Sequence, residues 1–397
     1  MKRTLLLCSL LALATTIFAQ DSLRNIRFAA LPAVAFSPEN GFTYGAIGEM
    51  YYDAAQGDPD SRMSRLQAAV LNSTKQRFYV LLATDLFTKD NNYWLYGRAR
   101  YRDYTDRYYG IGNDADARFL YTPEDETEGE LLNYYIYRYR SLTFEGVALK
   151  RLTDRLYVGV QYIYDDTYGY QDLGQRVEIT DELPAEPRVD NRRSGPGIRL
   201  AFDGRDNINY ALEGAFLQFN AWTYPTWLGT DFDYSSISLD ARKYWRTVGT
   251  QVFAARVRVE SRLAHDDNTI IPLFDLARLG GLDYIRGYFE GTYQDRHGMS
   301  FQTEYRFPIL QDADAPIWKL WRRFGLVGFF SGGRVYNTWD ELSLSDWRLS
   351  AGIGLRLLLI PEQRVNVRID YGWGFAPDAA GPEGRQSGLY FFVGETF

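Results

Sequence analysis

The residue types that usually perform catalysis are sparse in this chain of 397 residues. The two histidines, His265 and His297, stand at the edges of a long segment that lacks strand alternation. No Gly-x-Ser-x-Gly elbow, His-Glu-x-x-His motif or clustered Cys/His set occurs. A hydrolase would need a serine close to a histidine, and no spacing in the sequence favours such a pair. We therefore interpret both histidines as loop residues and expect no enzymatic activity.

A second group that could do chemistry is Asp203, Arg205, Asp206 and Asn207, inside "LAFDGRDNINYALEG". Its carboxylates could bind a metal ion. A turn that ends a strand and is held by local side-chain hydrogen bonds explains the same residues more simply. We expect such a turn, with no metal and no cofactor.

The third candidate is Arg286, within "LARLGGLDYIRGYFEGTY". We call these residues, Leu276–Tyr293, the glycine-rich segment, and they contain four glycines and three tyrosines. If this arginine enters a confined interior, carboxylates must pair with it, because desolvating an unpaired charge costs several kcal/mol. Otherwise Arg286 is a solvated loop residue.

The elements that position these residues show a period of two. "RVNVRIDYGWGF", Arg364–Phe375, alternates apolar and polar residues without an error, and "GMSFQTEYRFPI" and "DWRLSAGIGLRLLL" repeat the pattern. A soluble sandwich would also alternate. The count of strands favours a barrel, since sixteen are predicted: 29–36, 42–53, 62–74, 76–88, 92–104, 131–150, 155–166, 195–204, 214–224, 232–245, 250–263, 298–309, 324–336, 346–359, 364–374 and 387–397.

The lengths of the connections indicate a membrane barrel. The three longest, about 105–130, 167–194 and 264–297, all follow odd-numbered strands and so emerge on one rim, whereas most other connections are tight. Long loops outside and short periplasmic turns are typical of outer-membrane proteins. We predict an all-β protein, a 16-stranded antiparallel transmembrane barrel with both termini in the periplasm.

Composition agrees with this prediction. Aromatic residues make up 16% of the chain, it has 35 glycines, and mean hydropathy is −0.35, a mixture that suits strands with one lipid-facing side. The net charge of −7 gives no indication of nucleic-acid binding.

The chain ends predict export and membrane assembly. Residues 1–20 have the basic start, apolar run and small residue of a signal peptide cleaved near Ala19 or Gln20, which leaves 21–397 as the barrel domain. The only cysteine, Cys8, lies inside that signal. Phe391, Val393 and Phe397 are predicted to share one face of the last strand, as in the carboxyl-terminal signal of outer-membrane proteins. We therefore expect the lipid bilayer and the barrel-assembly machinery as partners.

Four motifs together carry a resemblance to a known family: "LGGLDYIRGY" at 279–288, "LAFDGRDNINYALEG" at 200–214, "TEYRFPI" at 303–309 and "GIGLRLLL" at 352–359. They resemble the motifs of the BamA/TamA family of outer-membrane assembly barrels, also called the bacterial surface antigen family, which includes two-partner-secretion transporters. The resemblance covers essentially the whole chain after the signal. It implies that the glycine-rich segment folds back into the lumen, where Arg286, with Gly287 and Tyr288, docks on acidic residues of the wall.

The same resemblance identifies the acidic partners. Glu304 stands where the family places the first. The second would be an aspartate in a Phe-x-Asp-x-Gly motif, but this chain has Ser331 there. Asp370, three strands on by our count, is the expected substitute.

Function remains divided between two hypotheses. The family's periplasmic POTRA domains recognise clients, and only about ten residues separate the signal from the first strand, so none is expected. One hypothesis is an assembly or translocation factor that uses its barrel seam, alone or with a separate periplasmic protein. Glycines near that seam, Gly372, Gly374 and Gly388, favour it slightly, because glycine-rich strands pair weakly. The other hypothesis is a passive pore or a surface anchor without insertase activity.

Inward-facing arginines bear on the pore hypothesis. They could attract anions, or they could belong to a network of paired charges together with Asp240, Glu260, Glu304 and Asp370. The arginines are Arg256, Arg258, Arg262, Arg306, Arg356 and Arg368.

Overall fold

The structure of the protein is a computed structural model. It describes residues 26–55, 61–113, 136–173, 190–266, 269, 271–308, 317–343, 345–361, 364–376, 386–395 and 397. The predicted signal peptide and its cleavage site lie outside the described residues.

Eighteen strands account for most of the described chain. Their bounds are β1 (Arg27–Ser37), β2 (Gly41–Tyr52), β3 (Ser64–Ser73), β4 (Arg77–Phe87), β5 (Tyr93–Arg107), β6 (Ile136–Thr153), β7 (Leu156–Asp172), β8 (Asn191–Asp203), β9 (Gly214–Tyr224), β10 (Tyr234–Arg246), β11 (Val252–Ala264), β12 (Ala277–Leu279), β13 (Tyr293–Asp295), β14 (His297–Phe307), β15 (Phe324–Tyr336), β16 (Arg348–Ile360), β17 (Val365–Gly374) and β18 (Ser387–Val393).

Sixteen of these strands form one closed antiparallel barrel, which confirms the predicted fold class. Each strand pairs with its sequence neighbour, except that β11 pairs directly with β14. The two strands between them, β12 and β13, form a separate hairpin. We call the rim that bears this hairpin the loop rim and the opposite one the turn rim.

The period of two separates the two faces of the wall. Apolar side chains are exposed on one face, as with Val160 and Ile353, which each keep 64% of their surface accessible. Polar residues such as Gln302 and Glu304 are buried on the other. In a closed barrel the buried face is the inner one.

The barrel closes between β1 and β18, and this seam is short. Among the described residues its register consists of the facing pair Phe36 and Phe391. By contrast, β1 pairs with β2 along its full length, from Arg27 opposite Tyr51 to Ser37 opposite Gly41. Pro32 lies in β1, and proline favours edge strands because it has no N–H to donate.

The last strand is shorter than predicted, and its final phenylalanine faces elsewhere. β18 ends at Val393, and Gly394 takes a positive φ of 96° that turns the chain. Val393 remains 50% exposed, but Phe397 is buried, at 6%, with Tyr244 and Val252. The prediction that Phe397 shares the apolar face of Phe391 and Val393 is therefore wrong, because alternation stops at the glycine.

In the described parts of the chain, helical structure is limited to short 3-10 turns, including Leu273–Asp275 and Ile317–Arg323. Within the described ranges, no helix has the length and apolar character needed to cross a membrane.

Candidate functional site

The glycine-rich segment consists of Leu276, β12, a long turn and the first residue of β13. All four of its glycines have positive φ, with 98° at Gly280, 72° at Gly281, 110° at Gly287 and 78° at Gly291. Side chains with a Cβ rarely adopt this conformation. The glycines are therefore needed for the path of the backbone, which delivers Arg286 to the wall.

Arg286 is fully buried between two carboxylates from strands that are not neighbours. Its Nη2 donates to Oε1 of Glu304 on β14 at 2.6 Å, and its Nη1 donates to Oδ2 of Asp370 on β17 at 2.8 Å. None of the three side chains is exposed. The structure thus brings together the three charged residues that the sequence singled out.

An aromatic ring completes the environment of this arginine. The guanidinium carbon lies 3.7 Å from the ring centroid of Phe329 on β15, a stacked cation–π contact. In the sequence, Phe329 is only the first position of the motif around Ser331, and no role was expected for it. The spacing of Phe329 and Gly333 marked the residue as part of a motif. Its contact with the guanidinium of Arg286 follows only from the register of β15 in the barrel.

Two further arginines share the same carboxylates. Arg306 binds the second oxygen of Glu304 at 2.9 Å, and Arg356 binds both Asp370 and Glu395. Burial of this many charges is tolerated only if each is paired. The segment therefore docks onto a continuous ionic network along the wall.

Gly287 and Tyr288 fit against the backbone of β17. The N–H of Gly287 donates to the Tyr390 hydroxyl at 3.2 Å, and the Tyr288 hydroxyl donates to the Leu349 carbonyl at 3.0 Å. A Cβ on Gly372 would lie 2.9 Å from the Arg286 carbonyl, and one on Gly374 would lie 2.6 Å from the Tyr288 ring. Gly372 and Gly374 thus leave room for the segment. This close packing explains the glycines at these positions better than weak strand pairing near the seam does.

A second attachment holds the other side of the segment. Arg77, at the start of β4, binds Asp106 at 2.7 Å and Glu290 at 3.3 Å. Arg278 binds the same Asp106 at 3.2 Å and donates to the Tyr137 hydroxyl at 2.7 Å. The segment is therefore attached to β4–β6 as well as to β14–β17.

Ser331 lies on the buried face of β15, opposite Gln302 on β14 and Ser350 on β16. Its hydroxyl is buried without a hydrogen-bond partner among the described residues, and so is Nε of Arg286. Ser331 follows Phe329 by two residues and so shares its face. Where the resemblance implies an aspartate, this chain leaves a donor of Arg286 unused.

The inward arginines that raised the pore hypothesis are mostly paired. Arg256 binds Asp240 at 2.7 Å, and Arg262 binds Glu260 at 3.1 Å. A cavity of about 420 Å³ nevertheless remains beside β5–β11; six arginines line it, Arg100 and Arg102 among them, together with the carboxylates of Glu145, Asp165, Glu260 and Asp275. The hydrogen bonds of Arg100 and Arg102 go to the hydroxyls of Thr143 and Ser141 instead of to carboxylates.

The Asp203 group forms a turn on the turn rim. Arg205 pairs with Asp203 at 3.0 Å, and Oδ1 of Asn207 accepts from two backbone N–H groups. Asp206 reaches across to Arg364 of the β16–β17 turn at 2.6 Å. Among the described residues, no group of three or more His, Cys, Asp or Glu side chains could hold a metal.

Comparisons with known proteins agree with this architecture. The profile of the Omp85 superfamily domain matches residues 66–397. No curated protein sequence matches the chain.

Solved structures with a similar fold include BamA from Haemophilus ducreyi lacking POTRA domains 1–3, with TM-score 0.57 and 14% identity over 92% of this chain and 70% of that one. CdiB from Acinetobacter baumannii has TM-score 0.54 and 14% identity, over 94% of this chain and 60% of its own. CdiB from Escherichia coli has TM-score 0.56 and 10% identity, over 92% and 62%.

Proposed function

Because this chain belongs to the Omp85 superfamily and folds as an outer-membrane β-barrel, we propose that it acts in the assembly or translocation of proteins at the bacterial outer membrane. The observation that carries this proposal is the short seam between β1 and β18. A strand edge with few partners is a template for pairing with another chain. A client strand could therefore add to β1 or β18 at low cost.

The anchored segment supports this role mechanically. We propose that it lies within the lumen, where Arg286 joins β14 to β17 and Arg77 holds the opposite side through Glu290. These ties would keep the wall circular while the seam opens. Arg286, Gly287, Tyr288, Glu304 and Asp370 form the proposed anchor.

The carboxyl terminus is the proposed recognition element for the barrel-assembly machinery. Phe391 and Val393 lie on β18, and Val393 is half exposed. Phe397 instead supports the turn rim, where its backbone oxygen accepts from Arg306 at 2.8 Å. The Asp203–Asn207 turn on that rim would face a periplasmic partner.

Reconstitution tests the proposal. Purified barrel in liposomes should accelerate the insertion of a second, unfolded outer-membrane barrel relative to empty liposomes. If insertion is unchanged while ion current flows, the passive pore hypothesis replaces the proposal. If neither occurs, the barrel is a surface anchor.

A further inference from the structure

A serine, a histidine and an aspartate meet at the loop rim of the barrel. Oγ of Ser235 lies 2.7 Å from Nε2 of His265, and Nδ1 of the same ring is hydrogen-bonded to Oδ1 of Asp233. The two ring nitrogens thus have different partners, a hydroxyl and a carboxylate. This is the order of contacts in a Ser–His–Asp triad.

The strand register brings these residues together. Asp233 directly precedes β10, Ser235 is the second residue of that strand, and His265 directly follows β11. Tyr234, which lies between Asp233 and Ser235, faces Ala264, which precedes His265. Both side chains pack into a buried cluster of apolar residues inside the barrel. Because side chains alternate along a strand, Asp233, Ser235 and His265 all point outward. His265 is a loop residue, as interpreted from the sequence, but it has two polar partners; His297, by contrast, is the buried first residue of β14 and not a loop residue.

A second serine–histidine pair shows what a structural arrangement looks like here. Oγ of Ser261 is hydrogen-bonded to Nδ1 of His297, and Ser261 is only 3% exposed. The imidazole packs against the rings of Tyr336 and Trp339 in tilted contacts. Among the described residues, no carboxylate is hydrogen-bonded to His297. Ser235, His265 and Asp233 differ from this pair in two ways. The imidazole of His265 is hydrogen-bonded to a carboxylate, and His265 and Asp233 keep 39% and 42% of their side chains accessible.

We propose that Ser235, His265 and Asp233 hydrolyse carboxylic esters of lipids at the membrane surface. The triad faces outward on a wall whose outer face is apolar, and Trp227, in the adjoining β9–β10 connection, is 79% exposed. Tryptophan favours the interface between lipid and water. The substrate that reaches this position is an acyl ester in the adjacent leaflet, near its polar headgroup.

The reaction balances with water as the only co-reactant. Oγ of Ser235 attacks the acyl carbonyl carbon while its proton passes to Nε2 of His265, and Asp233 stabilises the imidazolium. The ester C–O bond then breaks, and the alcohol leaves with that proton. Water attacks the acyl-serine with His265 again as base, which releases the fatty acid and restores the serine hydroxyl.

Thr223 is the candidate donor to the oxyanion. It lies directly opposite Ser235 on β9, and facing residues of antiparallel strands have Cβ atoms about 4.5–5.5 Å apart. Its hydroxyl can therefore approach the carbonyl oxygen as charge develops. Removal of one such donor lowers kcat by roughly 10²–10³-fold, so Thr223→Val should reduce turnover and leave labelling of the serine detectable.

Two measurements on the full barrel test the proposal. Protein purified in dodecyl maltoside is treated with a fluorophosphonate probe, and release of fatty acid is followed in mixed micelles with phosphatidylethanolamine. Wild type should be labelled at Ser235 and release fatty acid. Ser235→Ala should lose both signals, and His265→Gln should lower hydrolysis by about 10²-fold or more.

Ser236→Ala is the matched control. This serine is the next residue, faces inward and shares a hydrogen bond of 3.1 Å with the Tyr224 hydroxyl. It should keep wild-type labelling and hydrolysis, and heat-modifiable migration on gels verifies that each variant is folded. The proposal is overturned if wild type is not labelled, or if Ser235→Ala releases fatty acid as fast as wild type. Activity on p-nitrophenyl butyrate without release from the phospholipid would overturn the lipid assignment.

Discussion

Replacement of Arg286 by methionine should release the glycine-rich segment from the wall. The change removes two ion pairs to carboxylates that have no exposed side-chain surface. Deleting one partner of a buried pair costs about 3–5 kcal/mol. Glu304 keeps Arg306 and Asp370 keeps Arg356, so we expect the lower end, about 3 kcal/mol, which is roughly a 150-fold rise in the open population.

Hydrogen exchange of the peptide that covers Leu279–Tyr293, in purified barrel, measures this opening. Protection should fall by about two orders of magnitude in Arg286→Met. Arg286→Lys should show intermediate protection, because one ammonium cannot reproduce the planar fork that reaches both carboxylates. The matched control is Arg334→Met on β15, whose ion pair of 3.7 Å goes to Asp346, a residue that is 67% exposed. Such a pair contributes about 0–1 kcal/mol.

The reasoning is refuted if exchange in Arg286→Met stays within about threefold of wild type while the barrel remains folded. The segment would then be held by its other attachments, and the buried charges would serve only to fill the interior.

Three other changes test parts of the same account. Ser331→Asp should supply a hydrogen-bond acceptor for Nε of Arg286, and it should therefore restore exchange protection of the segment in an Asp370→Asn background. A double variant that is no better protected than Asp370→Asn alone would contradict the idea that the new carboxylate at position 331 pairs with this nitrogen. Gly374→Ala should displace the Tyr288 ring, which a Cβ would approach to 2.6 Å, and should therefore raise exchange in the segment without changing ion pairs. Burial raises the pKa of Asp295 to about 6. The β12–β13 hairpin should thus lose protection as the pH rises from 4 to 7, since the buried carboxyl must ionise, and Asp295→Asn should abolish the change.

The barrel could be predicted from the sequence because each strand carries its own signal. Alternation of single residues places apolar side chains on the lipid face, and the lengths of connections give their rims. The end of β18 was not predicted correctly, because the positive φ of Gly394 stops the alternation there. A glycine within an alternating pattern does not by itself indicate a turn.

The candidate site was only partly predictable. Arg286 stood out through the glycines around it and through the resemblance of its motif. The stacking of Phe329 and the pairing of Ser235 with His265 depend on the register between strands that are distant in sequence, which single-strand patterns do not contain. From the sequence, Gly372 and Gly374 were interpreted as positions that weaken strand pairing. In the structure they lie against the glycine-rich segment, where a larger side chain would not fit.

The most direct test of the proposed function is a disulfide across the seam. Phe36 and Phe391 face each other, and facing residues in antiparallel strands have Cα atoms about 4.5–5.5 Å apart, within the range a disulfide needs. The only cysteine, Cys8, lies in the predicted signal peptide, so the F36C/F391C variant purified without that peptide has one defined bridge. A148C/V160C in the β6–β7 ladder is the matched control. We predict that the oxidised seam variant loses acceleration of barrel insertion into liposomes, that reduction restores it, and that the control keeps it throughout. Full acceleration with the seam cross-linked would contradict the account.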